Sequence, residues 1–262
     1  MSLNKFTRRR FNATAAGFAA GVFASSRFGA SAQDATPAGG VTPLGYVSTR
    51  IRTVATAEQR VRVNELVRDD FAPDVEALPG FQGYALADVI DVPEDSLSIL
   101  VLEEASQTEG FLDLAKDFVS GISDEVQTVD TVGWDGDLLI LGKPETSGST
   151  PIASPAGSQA ASGYVTMRVH TSLPGTDPRD FVPLATSDFL PIVSGLDGFR
   201  GYLWYPTEGG FVAISLFDTE ESAQESNEAA MGWAIDFLAE YTDGKPMVVN
   251  ATMAYENLPI LR

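Results

Sequence analysis

The sequence predicts an α+β fold made of two βαββαβ repeats whose sheets pack against each other. The first observation behind this prediction is a set of echoes that share one spacing. The matching segments, each pair 118 residues apart, are 45–52 and 163–170, 71–73 and 189–191, and 78–84 and 196–202. Three matches at one offset indicate an internal duplication. The second observation is that strand and helix periodicities follow the same order in both halves.

The first predicted repeat spans residues 44–142. Apolar and polar residues alternate from Tyr46 to Arg52, which is typical of a strand. Apolar residues recur at helical spacing from Glu58 to Leu78, and Pro73 is expected to interrupt that helix. The remaining predicted elements are strands at 81–90 and 97–102, a helix at 106–122 and a closing strand at 126–134.

The second predicted repeat spans residues 163–262 and has the same order of elements. Its predicted elements are strands at 164–170, 199–205, 211–217 and 247–255, with one helix after Asp177-Pro178 and another after Asp218. The βαββαβ order defines a ferredoxin-like unit, whose two helices cover one face of its sheet. The other face needs a partner, and two copies in one chain can supply it sheet to sheet.

The first 32 residues have the pattern of an export signal. Thr7-Arg8-Arg9-Arg10-Phe11 resembles the twin-arginine motif, and Ala30-Ser31-Ala32 matches a signal-peptidase site after a short apolar stretch. We therefore expect export by the twin-arginine route to the periplasm or beyond, with no membrane span once the signal is removed. Two segments have the composition of linkers, a disordered one at 33–43 and a Ser/Pro/Gly-rich one at 143–162.

The composition excludes several classes of site. The chain has no cysteine and one histidine, so it holds no disulfide, thiol nucleophile, thiolate-bound metal or multi-histidine metal site of its own. The sequence also has no Asp-x-Asp-x-Asp-Gly-type calcium loop, so we expect no metal site. The net charge is −19, and without the first 32 residues the remaining 12 basic and 36 acidic residues give −24. Such a surface repels nucleic acid, so no nucleic-acid partner is expected.

The two-copy layout resembles the dimeric α+β barrel superfamily, in particular domains of the antibiotic-biosynthesis-monooxygenase type. The residues that carry the resemblance are Phe71-x-Pro73, Pro79-Gly80-Phe81 with Tyr84, and Glu220-Glu221-Ser222 leading to Asn227 and Trp233. The resemblance covers about 210 residues and implies an intrachain dimeric α+β barrel. The protein would then be a monomer with an internal pseudo-dimer, or a homodimer of such chains.

The first strand of each repeat locates the expected ligand site. We expect its apolar face, with Val47 and Met167, to lie under the helices, and its polar face to point between the two sheets. The predicted ligand-binding residues on that polar face are Tyr46, Ser48, Arg50, Arg52, Tyr164, Thr166 and Arg168. Hydroxyls and cations together suit an anionic or phenolic small molecule. The alternative is that the arginines form structural ion pairs with acids on facing strands.

Two residues are candidates for catalysis. His170 is the chain's one imidazole and thus the candidate general base. The resemblance implies that Asn227 acts as a catalytic amide and that Trp204 and Trp233 contact the ligand, because cofactor-independent oxygenases of this superfamily use such residues. The alternatives are structural roles: a hydrogen-bonded histidine, a packed tryptophan and an asparagine that caps a helix against the sheet.

Two functions remain open from the sequence. One is an exported barrel that binds a small anionic or phenolic molecule between its sheets and oxygenates it without a cofactor. The other is a non-catalytic binding or assembly protein in which duplication only completes the barrel. The differing residues at equivalent positions, Arg52 against His170, predict that any site is asymmetric.

Overall fold

The computed structural model describes residues 41–144 and 163–262, which form one antiparallel sheet flanked by helices. The predicted signal at 1–32, and nearly all of the predicted linkers at 33–43 and 143–162, lie outside the described residues. The strands are β1 Gly45–Val54, β2 Phe81–Val89, β3 Asp95–Leu102, β4 Thr128–Leu138, β5 Ile140–Gly142, β6 Tyr164–Thr171, β7 Phe199–Thr207, β8 Gly210–Phe217 and β9 Met247–Asn257.

The helices lie between strands in the predicted order. They are α1 Ala57–Leu66, α2 Ala72–Glu76, α3 Thr108–Gly121, α4 Val182–Leu184, α5 Leu190–Ser194 and α6 Glu220–Phe237, with short 3₁₀ turns at Ala105–Gln107, Pro178–Phe181 and Pro259–Leu261. The βαββαβ order therefore occurs twice, and the prediction of two ferredoxin-like repeats is confirmed. In the described part of the chain, no helix is both long and apolar enough to cross a membrane.

A proline interrupts the first helix of each repeat. A π-helical turn, Val67–Phe71, separates α1 from α2 just before Pro73, and the turn Ala185–Phe189 separates α4 from α5 just before Pro191. Proline lacks an N–H group and its ring crowds the preceding turn, so the wider π turn lets the chain continue as a helix. The predicted interruption at Pro73 is confirmed.

The sheet curls until its two edges meet. The order of its strands is β4-β1-β3-β2-β9-β6-β8-β7-β5. In the chain a single residue, Leu139, separates β4 from β5. The Leu139 N–H donates to the Trp204 carbonyl oxygen at 3.0 Å, which joins this continuous segment to β7. At the other seam β9 pairs with both β2 and β6. Each repeat therefore lends its last strand to the other, and the sheet forms a barrel.

The interior of the barrel is apolar, which corrects the predicted orientation of β1 and β6. Val47, Val165 and Met167 are fully buried in one cluster with residues of β2, β3, β7, β8 and β9. Two further clusters lie between the sheet and the helices, one in each repeat. The apolar face therefore points between the sheets and the polar face lies under the helices. Buried apolar side chains fill the space between the sheets, so the predicted position of the ligand site there is wrong.

Candidate functional site

Arg168 is the centre of a polar site between the sheet and helix α6 of the second repeat. Strand β6 directs its side chain toward the helix, where it is only 2% exposed. Its Nε–H donates to Asn227 Oδ1 at 3.0 Å. Its Nη1 and Nη2 groups donate to Ser215 Oγ at 3.1 Å and Ser226 Oγ at 2.7 Å. These contacts fix the guanidinium group within the core.

All three partners of Arg168 are neutral. Within residues 41–144 and 163–262, every ion pair involves another cation, and no carboxylate lies within 4.0 Å of this guanidinium. Burial lowers the pKa of Arg168 to about 10, so it is still charged at neutral pH. A guanidinium has five N–H donors, and two of those of Arg168 have no partner among the described residues. A buried positive charge therefore lacks a counter-charge.

A small cavity of ≈ 20 Å³ lies beside the guanidinium group. Its lining residues are Arg168, His170, Phe181, Ala185, Phe189, Tyr202, Trp204, Phe211, Ala213, Ala230, Trp233, Ala234 and Leu238. This volume holds about one water molecule. An organic ligand can enter only if side chains on α6 or on the helices before it move outward. The walls are nevertheless mostly aromatic, which suits a flat ring.

His170 follows Arg168 on the same face of β6 and is 7% exposed. Its ring stacks on Phe211, with centroids 4.4 Å apart and planes 12° apart. Burial, and then the neighbouring Arg168 charge, lower the pKa of His170 to about 4. The imidazole is therefore neutral at pH 7, with one N–H donor and one acceptor nitrogen beside the cavity.

Trp233 brings a buried hydrogen-bond donor to the same cavity. Its Nε1–H has no hydrogen-bond partner among the described residues, although the atom is shielded from solvent. The indole ring packs against Phe189, with centroids 5.1 Å apart. Buried N–H groups are nearly always satisfied in native proteins, so this one points to a missing acceptor. Tyr202 adds a buried hydroxyl group. Burial raises the pKa of this hydroxyl group, and the Arg168 charge offsets part of that rise.

The first repeat lacks this arrangement. The strand registers align Ser215 with Leu100, and the helices that follow align Ser226 with Phe111. Phe111 packs against Phe71 at 5.9 Å between centroids and fills the space with aromatic carbon. The remaining equivalent pairs are Asn227 with Leu112, and Arg168 with Arg50. All three hydrogen-bond partners of Arg168 are thus apolar residues in the first repeat.

Arg50 accordingly has a different role from its counterpart. It forms a two-pronged ion pair with Asp135 on β4, with Nη1–Oδ1 and Nη2–Oδ2 distances of 2.8 and 2.9 Å. Both side chains are partly exposed, at 20% and 26%. The alternative of a structural ion pair therefore holds for Arg50. It does not hold for Arg168.

The predicted site residues fall into two groups. Arg168, His170, Trp204 and Trp233 line one cavity. Asn227 lies behind Arg168, outside the cavity lining, with both ends of its amide occupied by hydrogen bonds. The residues that the structure separates from this cavity are Tyr46, Ser48, Arg50, Arg52, Tyr164 and Thr166.

Each of the separated residues has its own surroundings. Thr166 is fully buried and donates to Asn250 Oδ1 at 3.0 Å. Tyr46 lies half-buried near Asp135, and burial followed by that charge raises its pKa to about 12. Arg52 lies near Tyr84, and burial lowers its pKa. The remaining two are Ser48, which is buried in β1, and Tyr164, which lines a separate pocket.

Sequence reasoning missed Tyr202, Ser215 and Ser226. Tyr202 stands in the Gly201-Tyr202 echo of Gly83-Tyr84, so the repeat itself marked it. Ser215 and Ser226 carry no sequence signal. They become recognisable only when the two repeats are aligned and a polar residue replaces an apolar one at a buried position.

Comparisons with known proteins give structural neighbours alone. No family model matches the chain, and no curated protein matches it. A proposed monooxygenase from Lactobacillus acidophilus NCFM superposes with a TM-score of 0.61 at 8% identity, over 82% of this chain and 97% of that one. A proposed monooxygenase from Fusobacterium nucleatum superposes with a TM-score of 0.61 at 8% identity, over 82% of this chain and 95% of that one. An anthrone oxidase-like protein superposes with a TM-score of 0.56 at 13% identity, over 84% of this chain and 95% of that one.

At these identities the neighbours establish the fold alone. They are dimeric α+β barrel proteins, and their chains are covered almost completely by this one. The described barrel has the same two-half construction, with a helical layer outside each half of the sheet. The chain therefore has the dimeric α+β barrel fold.

Proposed function

We propose that the second repeat binds a flat aromatic molecule in its anionic form beside Arg168 and oxidises it with molecular oxygen, without a cofactor. The observation that carries the proposal is the buried positive charge of Arg168, which has three neutral partners and no acid within residues 41–144 and 163–262. An unpaired buried charge is costly, and an anionic ligand would relieve that cost.

The remaining donors of the cavity support the same ligand class. Two guanidinium N–H groups and the Trp233 Nε1–H have no partner in the described part of the chain, so they can bind the oxygen atoms of a phenolate or enolate. Phe189, Trp204 and Phe211 line the cavity and present aromatic surface to a flat ring. The small volume requires that side chains on α6 or on the helices before it move outward before the ligand enters.

The chemistry follows from stabilising the anion. Arg168 lowers the pKa of a bound phenol or activated CH₂ group by favouring its conjugate base. His170, neutral at pH 7, is the adjacent group that can accept the proton. Because its low pKa makes it a weak base, formation of the anion depends mainly on stabilisation by Arg168. The electron-rich anion then reduces O₂. For a ring CH₂ group, one oxygen atom becomes the new carbonyl, the other leaves as water, and both C–H bonds are broken.

Similarity to proposed monooxygenases and to an anthrone oxidase-like protein supports this reaction class. Anthrone is therefore the probe for the first experiment. Oxygen uptake should match the anthrone consumed, one molecule of each, and anthraquinone should accumulate. R168M should lower the rate at least about tenfold, because a charge-assisted contact to the anion is lost. R50M, the equivalent change in the first repeat, should leave the rate unchanged.

A non-catalytic binding protein is the second candidate. The low pKa of His170 favours it, because a weak base is a poor acceptor for the substrate proton. Tight anaerobic binding of anthrone with no oxygen uptake in air would select this candidate. Absence of both binding and uptake would reject the site itself.

We also propose that the chain is exported by the twin-arginine route and works as a single-chain barrel. Thr7-Arg8-Arg9-Arg10-Phe11 and Ala30-Ser31-Ala32 support export. The pairing of β9 with strands of both repeats supports a barrel completed within one chain. Replacing Arg8, Arg9 and Arg10 with lysines should retain the uncleaved protein inside the cell, as fractionation and mass measurement would show. Sedimentation of the mature protein tests the single-chain state against a homodimer.

A further inference from the structure

Asn250 on β9 occupies the position that an acid holds in the first repeat. Strand register defines the equivalence: Asn250 faces Thr166 across β9 and β6, and Asp135 faces Ser48 across β4 and β1. Thr166 and Ser48 are themselves equivalent by the 118-residue repeat. The two halves therefore differ by one charge at matching points of the sheet.

The two residues contact the equivalent arginines differently. Asp135 binds Arg50 directly and neutralises it. Asn250 contacts Arg168 only through Asn227: the Asn227 Nδ2 group donates to Asn250 Oδ1 at 3.0 Å, and Asn227 Oδ1 accepts from Arg168 Nε at 3.0 Å. Asn250 Oδ1 also accepts from the Thr166 hydroxyl group at 3.0 Å.

The direction of this hydrogen-bond chain is determined by its arginine end. The guanidinium group of Arg168 can only donate, so the amide of Asn227 must turn its oxygen toward Arg168. Its Nδ2 group then faces Asn250, which must present an acceptor. An asparagine supplies that acceptor without a charge. An aspartate would supply the same acceptor together with a negative charge. That charge would lie two hydrogen bonds away from the guanidinium group.

We propose that Asn250 makes the second-repeat site selective for anions, because it holds the Arg168–Asn227 chain in place while leaving the arginine charge uncompensated. This inference rests on the proposed anion site and identifies the residue that sets its charge preference. Asn250 does not line the Arg168 cavity, so it acts through Asn227 and Arg168 as a positioning residue. The first repeat shows the outcome when an acid takes the position: the arginine turns to the acid, and the space under the helices is filled with apolar residues.

The position tolerates a charge sterically. Asn250 lines a separate pocket of ≈ 110 Å³ at the seam between the repeats, together with Tyr164, Asp91 and Glu220. A carboxyl group at position 250 is similar in size to the amide and would contact water there. The variant N250D therefore keeps the acceptor, the shape and the fold, and changes the charge alone.

The main experiment compares an anionic probe with its neutral isostere. Naphthoate and naphthamide are titrated against the mature protein and against N250D, with intrinsic tryptophan fluorescence as the readout. We expect the mature protein to prefer naphthoate. In N250D the affinity for naphthoate should fall about tenfold while that for naphthamide stays within about twofold, since the change acts on charge. Equal losses for both probes, or no loss for either, would overturn the inference.

The matched control reverses the charge change in the other repeat. D135N removes the acid from the equivalent register position and should leave both affinities unchanged. If it shifted the naphthoate affinity as strongly as N250D does, net charge rather than position 250 would be responsible.

A ligand-independent measurement separates this inference from the proposed function. The pKa of the new carboxyl group in N250D is measured by NMR, alone and combined with R168M. Asp91 and Glu220 raise that pKa in both proteins, so the difference between them reports coupling to Arg168. The pKa should be higher once Arg168 is removed. Equal values overturn the inference. A clear difference shows that position 250 acts on the Arg168 charge; if the mature protein then binds neither probe, the proposed anion site is rejected, and the selectivity role of Asn250 falls with it.

Discussion

The hydroxyl groups of Thr49 and Tyr205 lie 2.6 Å apart inside the barrel, where they link β1 of the first repeat to β7 of the second. Thr49 also donates to the Trp134 carbonyl oxygen at 3.3 Å in the alternative hydroxyl orientation. Both side chains are fully buried in an otherwise apolar interior. The pair is a buried polar contact between the two halves of the barrel.

Thr49→Val should therefore destabilise the protein by about 1–3 kcal/mol, because the Tyr205 hydroxyl group is left buried without its partner. Chemical denaturation gives the free energy of unfolding. The double variant T49V/Y205F removes both polar groups and should recover most of the loss. Additive losses in the double variant would show that packing, not the hydrogen bond, is responsible.

His170 predicts a pH dependence of stability. Its pKa is about 4 in the folded protein and about 6.5 in the unfolded chain, so the unfolded state binds more protons between these values. The neutral imidazole makes its full contribution to the free energy of unfolding above pH 6.5. That contribution, about 3 kcal/mol at most, is lost as the pH falls toward 4. The free energy of unfolding measured at several pH values should fall less steeply over this window in H170F than in the parent protein. An imidazole pKa near 6.5 by NMR would contradict the prediction.

Trp233→Phe should separate stability from binding. The change removes a buried N–H that has no partner, so the free energy of unfolding should stay equal or rise slightly. Ligand affinity should fall about three- to tenfold, because the variant lacks one donor to the ligand oxygen. W134F, a change in the barrel interior, is the control for loss of an indole group and should leave affinity unchanged. Unaltered binding in W233F would remove Trp233 from the site.

Gly80 and Gly198 should both resist substitution. They are equivalent in the two repeats and have φ angles of 70° and 67°, which side-chain-bearing residues rarely adopt. Alanine should cost about 1–2 kcal/mol at Gly198, and more at Gly80, where a Cβ atom would also collide with the Gln107 side chain. G232A is the matched control. A Cβ atom meets no neighbour there in α6, and alanine should stabilise the helix by about 0.8–1 kcal/mol. Thermal unfolding orders the three variants.

The sequence predicted the repeats and the element order, since these depend on periodicity within each segment, and the family resemblance implied the barrel. It did not predict which face of β1 and β6 points inward. Alternation shows that Val47 and Ser48 lie on opposite faces, but it is the same pattern whichever face is buried between the sheets. Only closure of the barrel decides, because it removes every solvent and helix contact from one face.

The extent of β4 was also underestimated. The predicted strand ended at Trp134, whereas β4 continues to Leu138 and leads into β5. The intervening Asp135-Gly136-Asp137 sequence is typical of a turn. In the fold it remains extended, because Gly136 lies so close to the Pro206 carbonyl oxygen that no side chain would fit. The contacts among Arg168, Asn227 and Asn250 were likewise unpredictable, because they join distant segments.

The joining of the two halves by their last strands within one chain has an evolutionary consequence. In a barrel assembled from two identical subunits, any mutation appears in both halves, so a charge lost from one site is lost from the other. Fusion into one chain lifts that constraint. One half can keep Asp135 and a filled interior that stabilises the barrel, while the other can carry Asn250 and an uncompensated arginine that would destabilise a symmetric assembly twice over. Under the proposed function, one half would thus specialise in stability and the other in binding.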